Sequence, residues 1–213
     1  MSRIVLYDYA RSSAAYRVRI GLNLKRLDYE RRQVNLLDSE QKSEAYRALN
    51  PQGLVPMLEV DGHRITQSLA ILVWLDQTVT DPPLMPRDPY DGAHVRAMAM
   101  TIACDIHPLN NLRVLKYLKG ALGQDQAAVD RWYAHWISEG LPALEALASP
   151  RAGDFLFGDT PSLADVCLVP QLFNARRFNV PIDAFPTLLR ADANATKLDA
   201  FAAAHPDAQE AEK

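Results

Sequence analysis

The chain is poor in cysteine, with only Cys104 and Cys167 among its 213 residues. The two are far apart, belong to no Cys-x-x-Cys or Cys/His spacing and both fall in apolar surroundings. This speaks against a disulfide framework or a thiol-based metal site, and predicts two buried, reduced thiols. The chain also lacks any uninterrupted apolar run of about 18 residues, the length a membrane-spanning helix needs. No basic segment followed by a long apolar run opens it, so the expected compartment is the cytoplasm. Neither sign of charge dominates: 23 Lys and Arg against 26 Asp and Glu leave a net charge of -3 with the signs interspersed. That balance gives no reason to expect nucleic acid or an anionic membrane as partner. With 48% hydrophobic residues the composition is globular, and the length suits two small domains, each with its own core.

Proline is unevenly spread, and its clustering divides the chain. Four of the 14 prolines, at positions 82, 83, 86 and 89, fall between Thr80 and Pro89. A residue that fixes its own φ and lacks an N–H donor suits neither a helix interior nor a central strand, so 80–89 is read as a linker. Before it, Ile4–Tyr7 reads as a buried strand, followed by a helix to about Leu24, a weaker strand over Tyr29–Val34 and a short helical segment over Ser39–Leu49. Asn50-Pro51-Gln52-Gly53 is a turn, Leu54–Val60 a strand containing Pro56, Asp61-Gly62 a hairpin turn and Arg64–Thr66 its return. Gln67-Ser68 then opens a helix. The predicted order over residues 1–79 is β-α-β-α-β-β-α. Over 90–213 only helical periodicity remains, in Ala93–Leu118, Asp125–Ala148, Leu163–Phe173 and Leu188–Ala204, followed by a polar, frayed tail over Asp207–Lys213. Ser162-Leu163-Ala164-Asp165 has capping-box spacing, which makes Asp165 a structural residue.

The stretch that carries chemistry is Arg11-Ser12-Ser13-Ala14-Ala15-Tyr16-Arg17-Val18-Arg19-Ile20, between the first strand and first helix. Ser12 and Ser13 sit where N-cap residues belong, among unpaired N–H groups at the positive end of a helix dipole. Such a place favours an anion, including a thiolate. A plain helix cap accounts for the two serines equally well.

Four pieces in order resemble one family. Ser12-Ser13-Ala14-Ala15-Tyr16-Arg17-Val18-Arg19-Ile20, Asn50-Pro51 with Val55-Pro56, Gln67-Ser68-Leu69-Ala70-Ile71 and Asp165–Gln171 together look like a zeta-class glutathione transferase, over about Ile4–Phe201. The resemblance implies an α/β thioredoxin-like domain that binds glutathione, an all-α domain that binds substrate, and a homodimer. It implies that Ser12 donates to the glutathione thiolate with Ser13 in support, which lowers the thiol pKa. It further implies that Val55, before a cis Pro56, pairs its backbone with the peptide, that Gln67 and Ser68 receive the γ-glutamyl carboxylate, and that Gln41 contributes. His107 and Asn111 would face sulfur and substrate, although a lone histidine is as readily structural. Arg11, Arg113, Arg176 and Arg177 are the candidates for substrate carboxylates. Arg17 and Arg19, despite their place in the motif, suit structural ion pairing at a domain or subunit interface, the preferred reading for Arg19.

The implied reaction is cis-trans isomerisation of maleylacetoacetate in tyrosine catabolism, through reversible addition of the glutathione thiolate to the double bond. A sister branch acts on maleylpyruvate, and the class also conjugates α-halo acids. The same arginines suit either isomerisation substrate. Ala14 replaces a cysteine that the class often carries, so a protein thiol at that position has no part in the chemistry. Tyr7 is the rival thiol activator, because other classes use an N-terminal tyrosine.

Overall fold

A strand whose two faces are both apolar needs cover on both sides, and Ile4–Asp8 (β1) is buried at every position. In the computed structural model, which describes residues 3–210, β1 lies inside a four-stranded sheet of order β2-β1-β3-β4. It pairs in parallel with Glu30–Gln33 (β2) and antiparallel with Met57–Val60 (β3), which in turn pairs with His63–Thr66 (β4). The register sets Leu6 opposite Leu58 and Leu58 opposite Ile65, so these residues share one face. Val5, Tyr7 and Met57 point to the other face and form a cluster with Val34 and with Tyr46 of Glu44–Leu49 (α2). Ser13–Leu24 (α1) packs on Ser68–Thr78 (α3), where a side chain at Gly21 would collide with Leu72. The third strand starts after Pro56 rather than at Leu54, since proline has no N–H for the ladder.

This sheet unit comprises residues 3–83 and also 197–210, a correction to the assignment of the whole C-terminus to the helical part. The returning segment carries Asp199–Ala202 (α10) and Pro206–Glu210 (α11). Arg19 Nε donates to Ala204 O at 3.0 Å, Asn23 Nδ2 donates to Ala200 O at 3.0 Å, and Tyr16 meets His205 edge-on. The residues expected to fray are therefore helical as far as Glu210, and Gln209 is buried with its amide on Ala203 O. Residues 211–213 of the expected tail lie outside the described residues.

The second unit, Leu84–Thr196, has no strand longer than a single bridge among its described residues. Asp88 caps Pro89–Met100 (α4) by accepting from Tyr90 N and Asp91 N. The single helix expected over Ala93–Leu118 is interrupted. Thr101–Ile106 is a π turn, His107–Leu109 (α5) follows, and Leu112–Gly120 (α6) starts anew with Asn111 as its cap. A π turn inserts a residue and rotates the helical face, and Pro108 withholds a donor, neither of which hydrophobic spacing reveals. One consequence is that Cys104 is exposed, contrary to expectation, while Cys167 is buried.

Gln126–Ala148 (α7) and Leu163–Arg177 (α8) complete the core, and Pro186–Ala195 (α9) ends the expected Leu188–Ala204 helix early, because Leu198 is extended. Asp165 is wholly buried at the start of α8, where it accepts from Leu156 N, Ser162 N and Ser162 Oγ at 2.7–2.8 Å. Burial pushes its pKa up, and these donors pull against that rise.

Replacing Asp165 with Ala orphans three buried donors. The expected cost is about 3 kcal/mol of unfolding free energy, read from urea denaturation; a loss below about 1 kcal/mol contradicts the role assigned to the box.

Candidate active site

On the sheet unit the sites predicted from sequence fall at the ends of elements. Ser12 is the N-cap of α1, in extended geometry, and its Oγ accepts from Ala15 N at 3.2 Å. A hydroxyl that accepts in this way keeps its own hydrogen for a second partner, so capping and donation to an anion are compatible. Ser13, the first residue of the helix, is buried. Arg11, directly before them, is exposed. Tyr7, the rival activator, lies in the cluster beneath α2, where its hydroxyl accepts from Arg32 Nη1 at 2.9 Å.

A second helix start lies beside the first. Ser68 is the first residue of α3, is 6% exposed, and its Oγ accepts from Arg17 Nη1 at 3.4 Å. Gln67 precedes it at φ 70°, a left-handed conformation that a residue with a Cβ adopts at a cost of roughly 1–3 kcal/mol. Such strain recurs at binding sites, and here it directs the Gln67 amide to Gln52 Oε1 at 2.9 Å. Gln52 was missed in the sequence, where it reads only as part of a turn.

That turn is tightly held. Tyr46 Oη and Asn50 Nδ2 both donate to Leu54 O at 2.7 Å, fixing the backbone ahead of the cis Val55–Pro56 bond. Burial raises the Tyr46 pKa to about 12, which keeps it a donor. Gly53 has φ +61°, and a Cβ there would lie 2.7 Å from Gln41 O, which places the Gln41 backbone against the same turn. Gln41 is buried and its Oε1 has no hydrogen-bond partner among the described residues, leaving a buried acceptor that a ligand N–H would satisfy. Ser68, Gln67, the 50–56 turn and Gln41 are thus linked by direct contacts, with Ser12 and Ser13 one helical turn from Arg17. The set offers hydroxyls, helix N-termini and amide groups, which suits a peptide carrying anionic groups.

The helical unit holds the other candidates. His107 follows the π turn and is half-buried. Asn111 uses its Oδ1 to cap α6 through Arg113 N at 3.1 Å, and the Arg113 side chain is exposed. Arg176 and Arg177 differ sharply. Arg176 Nη2 is 2.6 Å from Asp192 Oδ2, and Asp192 is only 3% exposed. Burial raises the Asp192 pKa against the pull of Arg176. Arg177 is exposed, with its guanidinium carbon 5.4 Å from the Phe178 ring centre. Arg176, a candidate for substrate binding, is thereby occupied in a structural ion pair. Among the described residues no three His, Cys, Asp or Glu side chains converge as a metal site, and no helix is long and apolar enough to cross a membrane.

The sequence matches the glutathione S-transferase N-terminal domain over residues 11–78 and the C-terminal domain over residues 126–206. The chain belongs to the glutathione S-transferases. Within them it falls in the zeta class: a holo structure of maleylpyruvate isomerase, a bacterial zeta-class transferase, superposes with a TM-score of 0.94 at 45% identity, covering 96% of this chain and 98% of that one. Maleylacetoacetate isomerase of Rhizobium meliloti is 47% identical over 204 residues, 95% of this transferase and 96% of that protein. The maleylacetoacetate isomerase of Anaeromyxobacter dehalogenans, solved with glutathione in its active site, has a TM-score of 0.88 and 45% identity over 97% of this chain and 96% of its own.

The two neighbouring arginines of this transferase should separate by stability. Arg176→Ala leaves a buried carboxylate without its cation, at an expected cost of about 1–2 kcal/mol at pH 7, reduced by the half-exposed position of the guanidinium. The Asp192 pKa is raised in the native state, so the folded form binds the proton more tightly and the penalty grows as pH rises through the window above the unfolded carboxylate value. The deficit should therefore shrink towards pH 4. Arg177→Ala should stay within about 0.5 kcal/mol of wild type in the same urea titrations.

Proposed function

We propose that this chain is a glutathione-dependent cis-trans isomerase that converts maleylacetoacetate to fumarylacetoacetate in the breakdown of tyrosine, as a cytoplasmic homodimer. One observation carries the reading: Ser12 caps α1 with its hydroxyl hydrogen still available, in a chain 47% identical along its length to a maleylacetoacetate isomerase. Bound glutathione supplies a thiol that adds reversibly to the cis double bond and is released unchanged after rotation.

The chain's own residues bind and tune it. Ser12 Oγ donates to the sulfur, with Ser13 and the positive end of α1 adding to the preference for the anion. The Val55 backbone pairs with the peptide beside Pro56, and the orphaned Gln41 oxygen takes a peptide N–H. Gln67 and Ser68 receive the γ-glutamyl carboxylate at the N-terminus of α3. For the substrate carboxylates we assign Arg11, Arg113 and Arg177; Arg176 is paired with Asp192. His107 and Asn111, on the helical unit, are assigned to binding of glutathione. The maleylpyruvate isomerase with TM-score 0.94 favours maleylpyruvate as a second substrate, since the two differ in chain length and present the same terminal carboxylates. Exposed Tyr90 and Met100 on the helical unit supply apolar surface for pairing of subunits.

Two measurements test the proposal. Loss of maleylacetoacetate absorbance should be rapid with catalytic glutathione and should consume no thiol. Ser12→Ala should lower kcat/KM about a hundredfold and move its pH inflection up towards that of a free thiol near 8.5. A wild-type protein inert on both maleyl substrates rejects the reading. Light scattering after gel filtration should give twice the 23.8 kDa chain mass, and a monomer at micromolar concentration refutes the homodimer.

A further inference from the structure

Arg17 lies one helical turn beyond Ser13 in α1 and is 1% exposed. A guanidinium stays charged at any pH that a folded protein meets, and burying one costs several kcal/mol unless its surroundings repay it. Its neighbour Arg19 has a structural explanation: the side chain reaches Asp8 Oδ1, Ala10 O and Ala204 O at 2.7–3.0 Å and ties backbone segments together. Arg17 reaches across to α3, where its Nη1 donates to Ser68 Oγ at 3.4 Å in a buried contact.

The direction of that bond matters. A serine hydroxyl has one hydrogen to donate and two lone pairs. When a lone pair is turned to Arg17, a group that can only donate, the hydrogen points elsewhere. The position of Ser68 as the first residue of α3, after the left-handed Gln67, leaves the approach to the helix N-terminus for it. An acceptor in place of Arg17 would turn the hydroxyl round and spend its hydrogen inside the protein. The cation also stands one hydrogen bond behind the place where an anion would bind, adding its field to that of the helix N-terminus.

We infer that Arg17 is a positioning residue for the γ-glutamyl carboxylate of glutathione: it fixes the Ser68 hydroxyl as a donor and places a buried positive charge behind it. The inference rests on the proposal that Gln67 and Ser68 receive that carboxylate. It assigns Arg17 a role other than structural ion pairing at an interface. The role is in ground-state binding, so it acts on KM and not on the chemical step.

The experiment compares glutathione with 4-aminobutyryl-cysteinylglycine, which lacks only the γ-glutamyl carboxylate, in wild type, Arg17→Met, Ser68→Ala and the double variant. In Arg17→Met the KM for glutathione should rise roughly tenfold, with kcat and the dissociation constant of the analogue each within about twofold of wild type. Added to Ser68→Ala, the arginine substitution should weaken glutathione binding by clearly less than its roughly tenfold effect in wild type, because the part that acts through the Ser68 hydroxyl is already lost and only the field of the charge remains. If Ser68→Ala leaves the preference for glutathione over the analogue intact, the carboxylate reading fails and the inference falls with it. If Ser68→Ala abolishes the preference while Arg17→Met weakens both ligands equally, or neither, the subsite stands and the role of Arg17 is overturned. Should Arg17→Met not fold, Arg17→Lys keeps the charge but loses the planar fork. Its glutathione KM should rise several-fold with the analogue unmoved, and equal effects on both ligands overturn the inference.

Discussion

A single buried guanidinium holds the sheet unit's working end in place. Arg19 and Asp8 are both inaccessible to solvent, and their ion pair at 2.7 Å joins α1 to the end of β1. Arg31 reaches the other Asp8 oxygen at 2.9 Å, while the remaining donors of Arg19 go to Ala10 O and Ala204 O. Burial pulls the Arg19 pKa down and Asp8 pulls it back up. An ion pair of this kind is costly to bury and adds little net stability over well-packed apolar groups. What it supplies is geometry, because breaking any contact leaves a charge or a carbonyl unsatisfied. Ala10 lies two residues before Ser12, so the serine that caps α1 is held from both sides: by this fork and by its own backbone bond to Tyr9 O at 2.8 Å.

From that anchored turn the remaining parts of the site follow a common pattern. Two helices, α1 and α3, begin next to one another, and each places a serine at its start. The 50–56 turn lies against Gln67 through Gln52 and against the Gln41 backbone through Gly53. Each of these positions offers backbone or hydroxyl groups that a regular helix or strand leaves unused. Such groups suit a peptide with anionic ends.

Much of this was legible in the chain because caps, turns and prolines have local causes. Ser12, Asp61-Gly62 and the Ser162–Asp165 box each declare a terminus through hydrogen bonds within a few residues. What escaped depends on distant partners or on register. Pro108 signals a break inside Ala93–Leu118, but the apolar spacing fits an unbroken helix and hides the π turn that exposes Cys104. Arg176 and Arg177 are adjacent and chemically identical in sequence, and both are exposed; only the position of Asp192 marks Arg176 as an ion-pair partner. Gln52 gained its significance from Gln67, whose left-handed φ no residue preference announces. The contact of Arg17 with Ser68 depends on α3 lying beside α1, which the sequence does not show.

The return of residues 197–210 to the sheet unit has a consequence for synthesis. The first 83 residues emerge from the ribosome early, yet Arg19 and Asn23 find their carbonyl partners only in a segment translated after the whole helical unit. Vectorial folding of the N-terminal unit therefore stops short of completion, with the Arg19 fork lacking its third acceptor until the last stretch clears the exit tunnel. A chain terminated prematurely after Thr196 keeps every residue named in the site but not the clasp behind it, and cellular quality control would meet it as an unfinished protein.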